Sequence, residues 1–135
     1  MDTKLEYIMM IDDDPATNYL HQLIVKKSNL FEKQETFSSA QEALDHINEI
    51  NNTTKAFPEI ILLDINMPAI NGWEFIEQFE NMKKVMSLHT IIVMLTTSIN
   101  PKDKIKSLTY ESVKKFENKP LSVEKLIDIK NIFIQ

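Results

Sequence analysis

The chain has 135 residues, 43% of them apolar, which is the size of one ordinary domain with enough apolar side chains for a core. Its formal charge is −5 and every basic residue is a lysine, so the overall charge offers no attraction to nucleic-acid phosphates, and direct nucleic-acid binding is not expected. Cysteine is absent, which removes disulfides, thiolate metal sites and cysteine nucleophiles together.

Five short apolar runs follow one another along the chain, with helical patterns between them and after the last. This alternation predicts a parallel α/β sheet. The first run, Tyr7 to Ile11, stops at Asp12-Asp13-Asp14-Pro15, where Asp14 is placed to cap a helix and Pro15 to occupy its first turn. Ala16, Tyr19, Leu20, Leu23 and Ile24 recur at helical spacing and predict its apolar stripe. A charged and weaker strand is expected near Phe31 to Phe37, as suits a sheet edge. Ser39 with Glu42 predicts a capping box, opening a helix whose inward stripe is Ala40, Ala43, Leu44 and Ile47.

Ile60 to Leu63 is apolar at every position, as a central strand buried on both faces requires, and ends at Asp64. A loop from Ile65 to Gly72 leads to a third helix carrying Phe75, Ile76, Phe79 and Met82. The fourth strand, Ile91 to Leu95, ends at Thr96-Thr97-Ser98. A short helix from about Pro101, a strand near Val113 to Phe116 and a last helix from Ser122 complete the pattern. One domain over residues 1–135, with its core at about 5–133 and no output domain, is the expected organisation. The apolar runs are far too short to span a bilayer and the N-terminus carries no long apolar stretch, so no membrane role is expected and a cytoplasmic location is.

In doubly wound parallel sheets ligands gather outside the carboxyl ends of the strands. Asp12 and Asp13 follow the first strand, Asp64 the third, Thr96 the fourth and Lys119 the fifth, so three carboxylates, a hydroxyl and an ammonium should share that edge. Two carboxylates about 4 Å apart repel by roughly 4 kcal/mol at an effective dielectric near 20, so such a cluster either keeps a proton or holds a cation. Oxygen ligands suit Mg²⁺ rather than zinc. An aspartate there can take a phosphoryl group as an acyl phosphate if positive charge and donors neutralise the phosphoryl oxygens. His21, His46 and His89 lack ligand spacing and read as structural or surface residues.

These motifs, in this order from about Leu5 to Phe133, resemble the receiver domain of bacterial response regulators, including the single-domain chemotaxis type. The resemblance implies a flavodoxin-like (βα)5 fold with strand order 2-1-3-4-5. It implies Asp64 as phosphoacceptor within Ile61-Leu62-Leu63-Asp64-Ile65-Asn66-Met67-Pro68. It also implies Asp13 as a direct metal ligand, Asp12 as a ligand through water, and the Asn66 backbone carbonyl as a further ligand to Mg²⁺. Thr96 is then the switch hydroxyl, Lys119 the phosphate-contacting lysine before a cis Pro120, and Phe116 the switch aromatic. Asn71-Gly72 stands where the family usually has Asp-Gly, and the glycine often found before the fifth strand is missing.

A phosphoacceptor switch rather than an enzyme is therefore expected. Its donor would be a histidine kinase or histidine phosphotransfer protein, and its output a downstream protein target that reads the altered surface. Onward transfer to another histidine in a phosphorelay is the alternative. Two other classes fit less well. A haloacid-dehalogenase-type phosphohydrolase wants a second Asp where Asn66 stands, and a flavodoxin-type module wants a phosphate loop where Asp12-Asp13-Asp14 would repel it. Residues 101–119 hold six lysines and three acids. A solvated face is the plainer reading of that stretch, and docking of an acidic partner the sharper one.

Overall fold

The apolar runs become the middle of a five-stranded parallel sheet of order β2-β1-β3-β4-β5 in the computed structural model, which describes residues 4–134. The strands are β1 (Leu5–Ile11), β2 (Phe31–Phe37), β3 (Ile60–Leu63), β4 (Ile91–Thr96) and β5 (Val113–Asn118). The helices between and after them are α1 (Pro15–Ser28), α2 (Ala40–Ile50), α3 (Gly72–Met86), α4 (Pro101–Ser107) and α5 (Val123–Ile134).

Every residue of β3 and β4 is buried, because both faces of the central strands are covered. Alternation then divides their side chains between two cores. Tyr7, Met9, Ile11, Ile61, Leu63, Ile92 and Met94 meet the buried faces of α2 and α3, where Leu44, Ile47, Phe75 and Phe79 lie. Ile8, Met10, Ile60, Leu62, Val93 and Leu95 meet Val25 of α1 and Leu126 and Ile129 of α5. The edge strands β2 and β5 carry the charges, as expected of strands with one neighbour. This is a doubly wound, flavodoxin-like fold, and the order of β1 and β3 beside one another opens a crevice at their carboxyl ends.

Two local expectations are corrected. In α1 the buried residues are Asn18, His21 and Val25, whereas Tyr19, Leu20 and Leu23 are exposed. The Asn18 amide donates to the Asp12 carbonyl at 2.7 Å, and His21 lies beside Ile11, Asp12 and Leu62, so this face of α1 is not the apolar stripe. Ser39 accepts from the Glu42 N–H at 3.1 Å, but no bond returns from the Glu42 side chain among the described residues. The complete capping box is on α3, where Asn71 and Glu74 bond reciprocally at 3.0 and 3.1 Å. β5, Val113–Asn118, is the polar edge strand the sequence predicts.

Candidate functional site

β1 delivers Asp12 and Asp13 to the edge, and the loop after them separates the three successive acids by role. Asp14 turns back to cap α1, accepting from the Ala16 N–H at 3.3 Å and the Thr17 hydroxyl at 2.6 Å. Those bonds, the Thr17 hydroxyl first, hold its carboxyl below the ordinary range. Asp12 and Asp13 remain for the site. With Asp64 they offer carboxylate oxygens that all lie within 4.8 Å of one another, Asp13 exposed and the other two buried.

The backbone that fixes this cluster is built from the sheet. The Asp12 N–H donates to the Phe37 carbonyl at 3.1 Å, and the Asp64 N–H to the Ile11 carbonyl at 3.1 Å. Asn18 on α1 donates its amide to the Asp12 carbonyl at 2.7 Å, which explains why α1 buries an amide. Gly72, the first residue of α3, donates to the Ile65 carbonyl at 2.8 Å and closes the loop that follows the acceptor strand.

Lys119 enters from the β5 end. Its ammonium lies 2.5 Å from Asp12 Oδ2 and 3.7 Å from Asp64 Oδ1. The Lys119 N–H donates to the Thr96 carbonyl at 2.9 Å, and the following Lys119-Pro120 bond is cis, as the resemblance implies. Thr96, the last residue of β4, is fully buried, and its hydroxyl accepts from the Ser98 N–H at 3.2 Å. Phe116 is half-buried against the α2–α3 core and lines a cleft of about 250 Å³ with Ser98, Ile99, Asn100, Pro101, Lys104 and Asn118. Asn66 stands exposed in the loop two residues past Asp64. The structure thus gathers Asp12, Asp13 and Asp64 within 4.8 Å of one another, sets the Lys119 ammonium beside Asp12 and Asp64, hangs Thr96 on the adjoining strand end, and places Phe116 further along the same edge.

Two residues outside the motif pattern also hold this edge. The Lys125 ammonium, in the first turn of α5, donates to the carbonyls of Asn118 and Pro120 at 2.7 and 2.9 Å and so pins the segment that carries Lys119. A cation in the first turn of a helix opposes the helix dipole, which is the one sequence signal that marks Lys125. Asn118 is the other, its amide donating to the Ser98 carbonyl at 2.8 Å.

Burial pushes the Asp64 carboxyl up from 3.8 to about 6; the Lys119 ammonium pulls it back, while the charges of Asp12 and Asp13 push the same way as burial. Below the unfolded value the carboxyl is protonated in both folded and unfolded chains. As pH rises from 3.8 through about 6 the unfolded chain ionises first, so stability falls across that window. In EDTA the protein is expected to lose roughly 1–2 kcal/mol over it, once screening at the hydrated edge is allowed for. Asp64→Asn is expected to remove that loss and to melt above the parent near neutral pH. Denaturant titrations across the window check this, and a variant no more stable than the parent near pH 7 contradicts it.

Three carboxylates with one ammonium leave the edge short of positive charge, and their oxygens fit a hard divalent cation that keeps some of its water. Comparison with known proteins agrees with this chemistry. The family model of the response regulator receiver domain matches residues 8–131. The probable C4-dicarboxylate response regulator DctR of Halalkalibacterium halodurans is 27% identical over 119 residues, which take in 88% of this chain and 47% of that protein. The hybrid signal transduction histidine kinase C of Dictyostelium discoideum is 30% identical over 103 residues, 73% of this chain and 8% of the kinase. The chain therefore spans less than half the length of these two curated relatives. A two-component response regulator from Cytophaga hutchinsonii superposes with a TM-score of 0.90 at 31% identity over 98% of each chain. No helix among the described residues is long and apolar enough to cross a membrane. The chain belongs to the response regulator receiver domain family, the phosphoaccepting switches of two-component signalling.

Proposed function

We propose that Asp64 is the phosphoacceptor, that Asp12, Asp13, Asp64 and the Asn66 carbonyl hold Mg²⁺, and that Lys119 and Thr96 contact the transferred phosphoryl group. The observation that carries this reading is the convergence of Asp12, Asp13 and Asp64 within 4.8 Å, with the Lys119 ammonium beside two of them. The unit that does this is the single (βα)5 domain.

In the proposed step an Asp64 carboxylate oxygen bonds to phosphorus as the bond from phosphorus to a donor imidazole nitrogen breaks, and the imidazole leaves to take up a proton. Mg²⁺, when bound, supplies positive charge to the phosphoryl oxygens. Lys119 adds a fixed ammonium that needs no reorganisation as charge develops. A charge-assisted bond from the Thr96 hydroxyl to a phosphoryl oxygen then favours a state in which Thr96 has left Ser98, and Phe116 follows into the space released.

The donor is a histidine kinase or histidine phosphotransfer protein. Tyr19, Leu20 and Leu23 form an exposed apolar face on α1, which begins at the acidic loop, and this supports docking of an apolar donor helix there. On the downstream side, Lys102 and Lys104 stand exposed beside Ile105 and Leu108, which supports an acidic, partly apolar target. Lys106 and Lys115 contribute less to that surface, because Lys106 sits 4.5 Å over the Trp73 ring and Lys115 lies 3.6 Å from Glu117.

Beryllium fluoride, which occupies the place of a phosphoryl group, tests the reading. In proton–nitrogen correlation spectra, adding it together with Mg²⁺ is expected to move the amides of Asp13, Asp64, Asn66, Thr96 and Lys119. Shifts that need no Mg²⁺, or that leave these positions unchanged, contradict it.

A further inference from the structure

We propose that the Asn118 side chain is a latch that holds the loop after β4 in its resting position and so sets how readily the domain accepts a phosphoryl group. This rests on the reading of Thr96 given above. The Asn118 amide donates to the Ser98 carbonyl at 2.8 Å and, more weakly, to the Thr96 carbonyl at 3.4 Å. Asn118 itself is fixed, as the last residue of β5 paired with Thr96, and through its carbonyl to Lys125 at 2.7 Å.

Ser98 is the residue it grips, and Ser98 is also what restrains the switch hydroxyl, through the bond from its N–H to Thr96 Oγ1 at 3.2 Å. The far side of Ser98 is tied as well, its hydroxyl donating to Asp103 of α4 at 2.5 Å and accepting from the Asn100 N–H at 3.2 Å. α4 adds little holding power of its own, since Ser107 is its one buried residue. The resting loop is therefore held chiefly by polar bonds on Ser98. For the Thr96 hydroxyl to turn toward Asp64, the Ser98 N–H must be given up and the loop must shift away from Asn118. The Asn118 bond thus exists in the resting arrangement and not in the phosphoryl-bound one, and a contact made in only one state biases the equilibrium toward that state. Asn118 is a positioning residue in this scheme and touches no reacting atom.

Asn118→Ala and Asn118→Asp both remove the N–H donors, and the second keeps the shape. With Mg²⁺ present, each variant is expected to bind beryllium fluoride about fivefold more tightly than the parent and to accept phosphoryl groups from acetyl phosphate correspondingly faster, the factor that one ordinary hydrogen bond carries. A gain of this kind is not what general damage to the fold produces. Unchanged or weakened binding in folded variants overturns the latch. If the parent itself binds no beryllium fluoride, the functional reading fails, and the latch is judged on amide exchange at Ser98 in the metal-free protein. Exchange there is expected to quicken about fivefold in Asn118→Ala, and equal rates in the two chains overturn it.

Discussion

Lys119→Ala is expected to lose phosphoryl acceptance on the order of a hundredfold, the loss typical of deleting one preorganised electrostatic group at developing negative charge. The same variant is expected to bind Mg²⁺ more tightly, by roughly three- to tenfold, because the ammonium that neutralises Asp12 Oδ2 at 2.5 Å no longer competes with the ion. The two effects in opposite directions separate this account from simple unfolding. In EDTA the variant should also lose roughly 2–3 kcal/mol of stability, since two buried carboxylates are left facing each other without a cation. Mg²⁺ titration by calorimetry and rates with acetyl phosphate check the pair of effects. Weaker Mg²⁺ binding together with the slower transfer would mean that Lys119 builds the metal site instead of competing with the ion.

Gly72→Ala is expected to cost about 2–4 kcal/mol. A Cβ at Gly72 would meet the Asp64 carbonyl oxygen at 2.6 Å and Ile65 Cα at 2.9 Å. Both are backbone, so neither can swing away as a side chain would. Gly72 does not have positive φ, so the constraint is space and not conformational freedom. Relief requires the loop from Ile65 to Gly72 to move off β3, which displaces Asp64 from Asp12 and Lys119. Urea denaturation and Mg²⁺ affinity should therefore worsen together. A variant of parental stability would show that the loop is looser than its hydrogen bonds indicate.

The central strands were legible because burial on both faces leaves an unbroken apolar run, and Ile60 to Leu63 and Ile91 to Leu95 have no polar interruption. The site residues were legible for a related reason: in a parallel sheet the first polar residue after each run falls on one edge, which places Asp12, Asp64 and Thr96 together without any knowledge of the loops. In α1, periodicity shows that the helix has an apolar stripe but not what that stripe faces. Here the neighbour is the backbone of Asp12, which needs the donor of Asn18. Asn71 before Gly72 also reads as a turn, and Glu74 three positions on is what marks the box. Asn118 carries no signal in the sequence beyond polarity at the end of an edge strand. Its bond to Ser98 joins residues 20 apart in the chain, and no local pattern encodes such a pair.

The central claim is that Asp64 accepts a phosphoryl group with Mg²⁺ in the acidic site, and the most direct measurement is intact mass after incubation with acetyl phosphate. The parent chain is expected to gain one phosphoryl group in Mg²⁺ and none in EDTA, and Asp64→Asn is expected to gain none in either. A gain that survives Asp64→Asn, or that is indifferent to EDTA, would contradict the account.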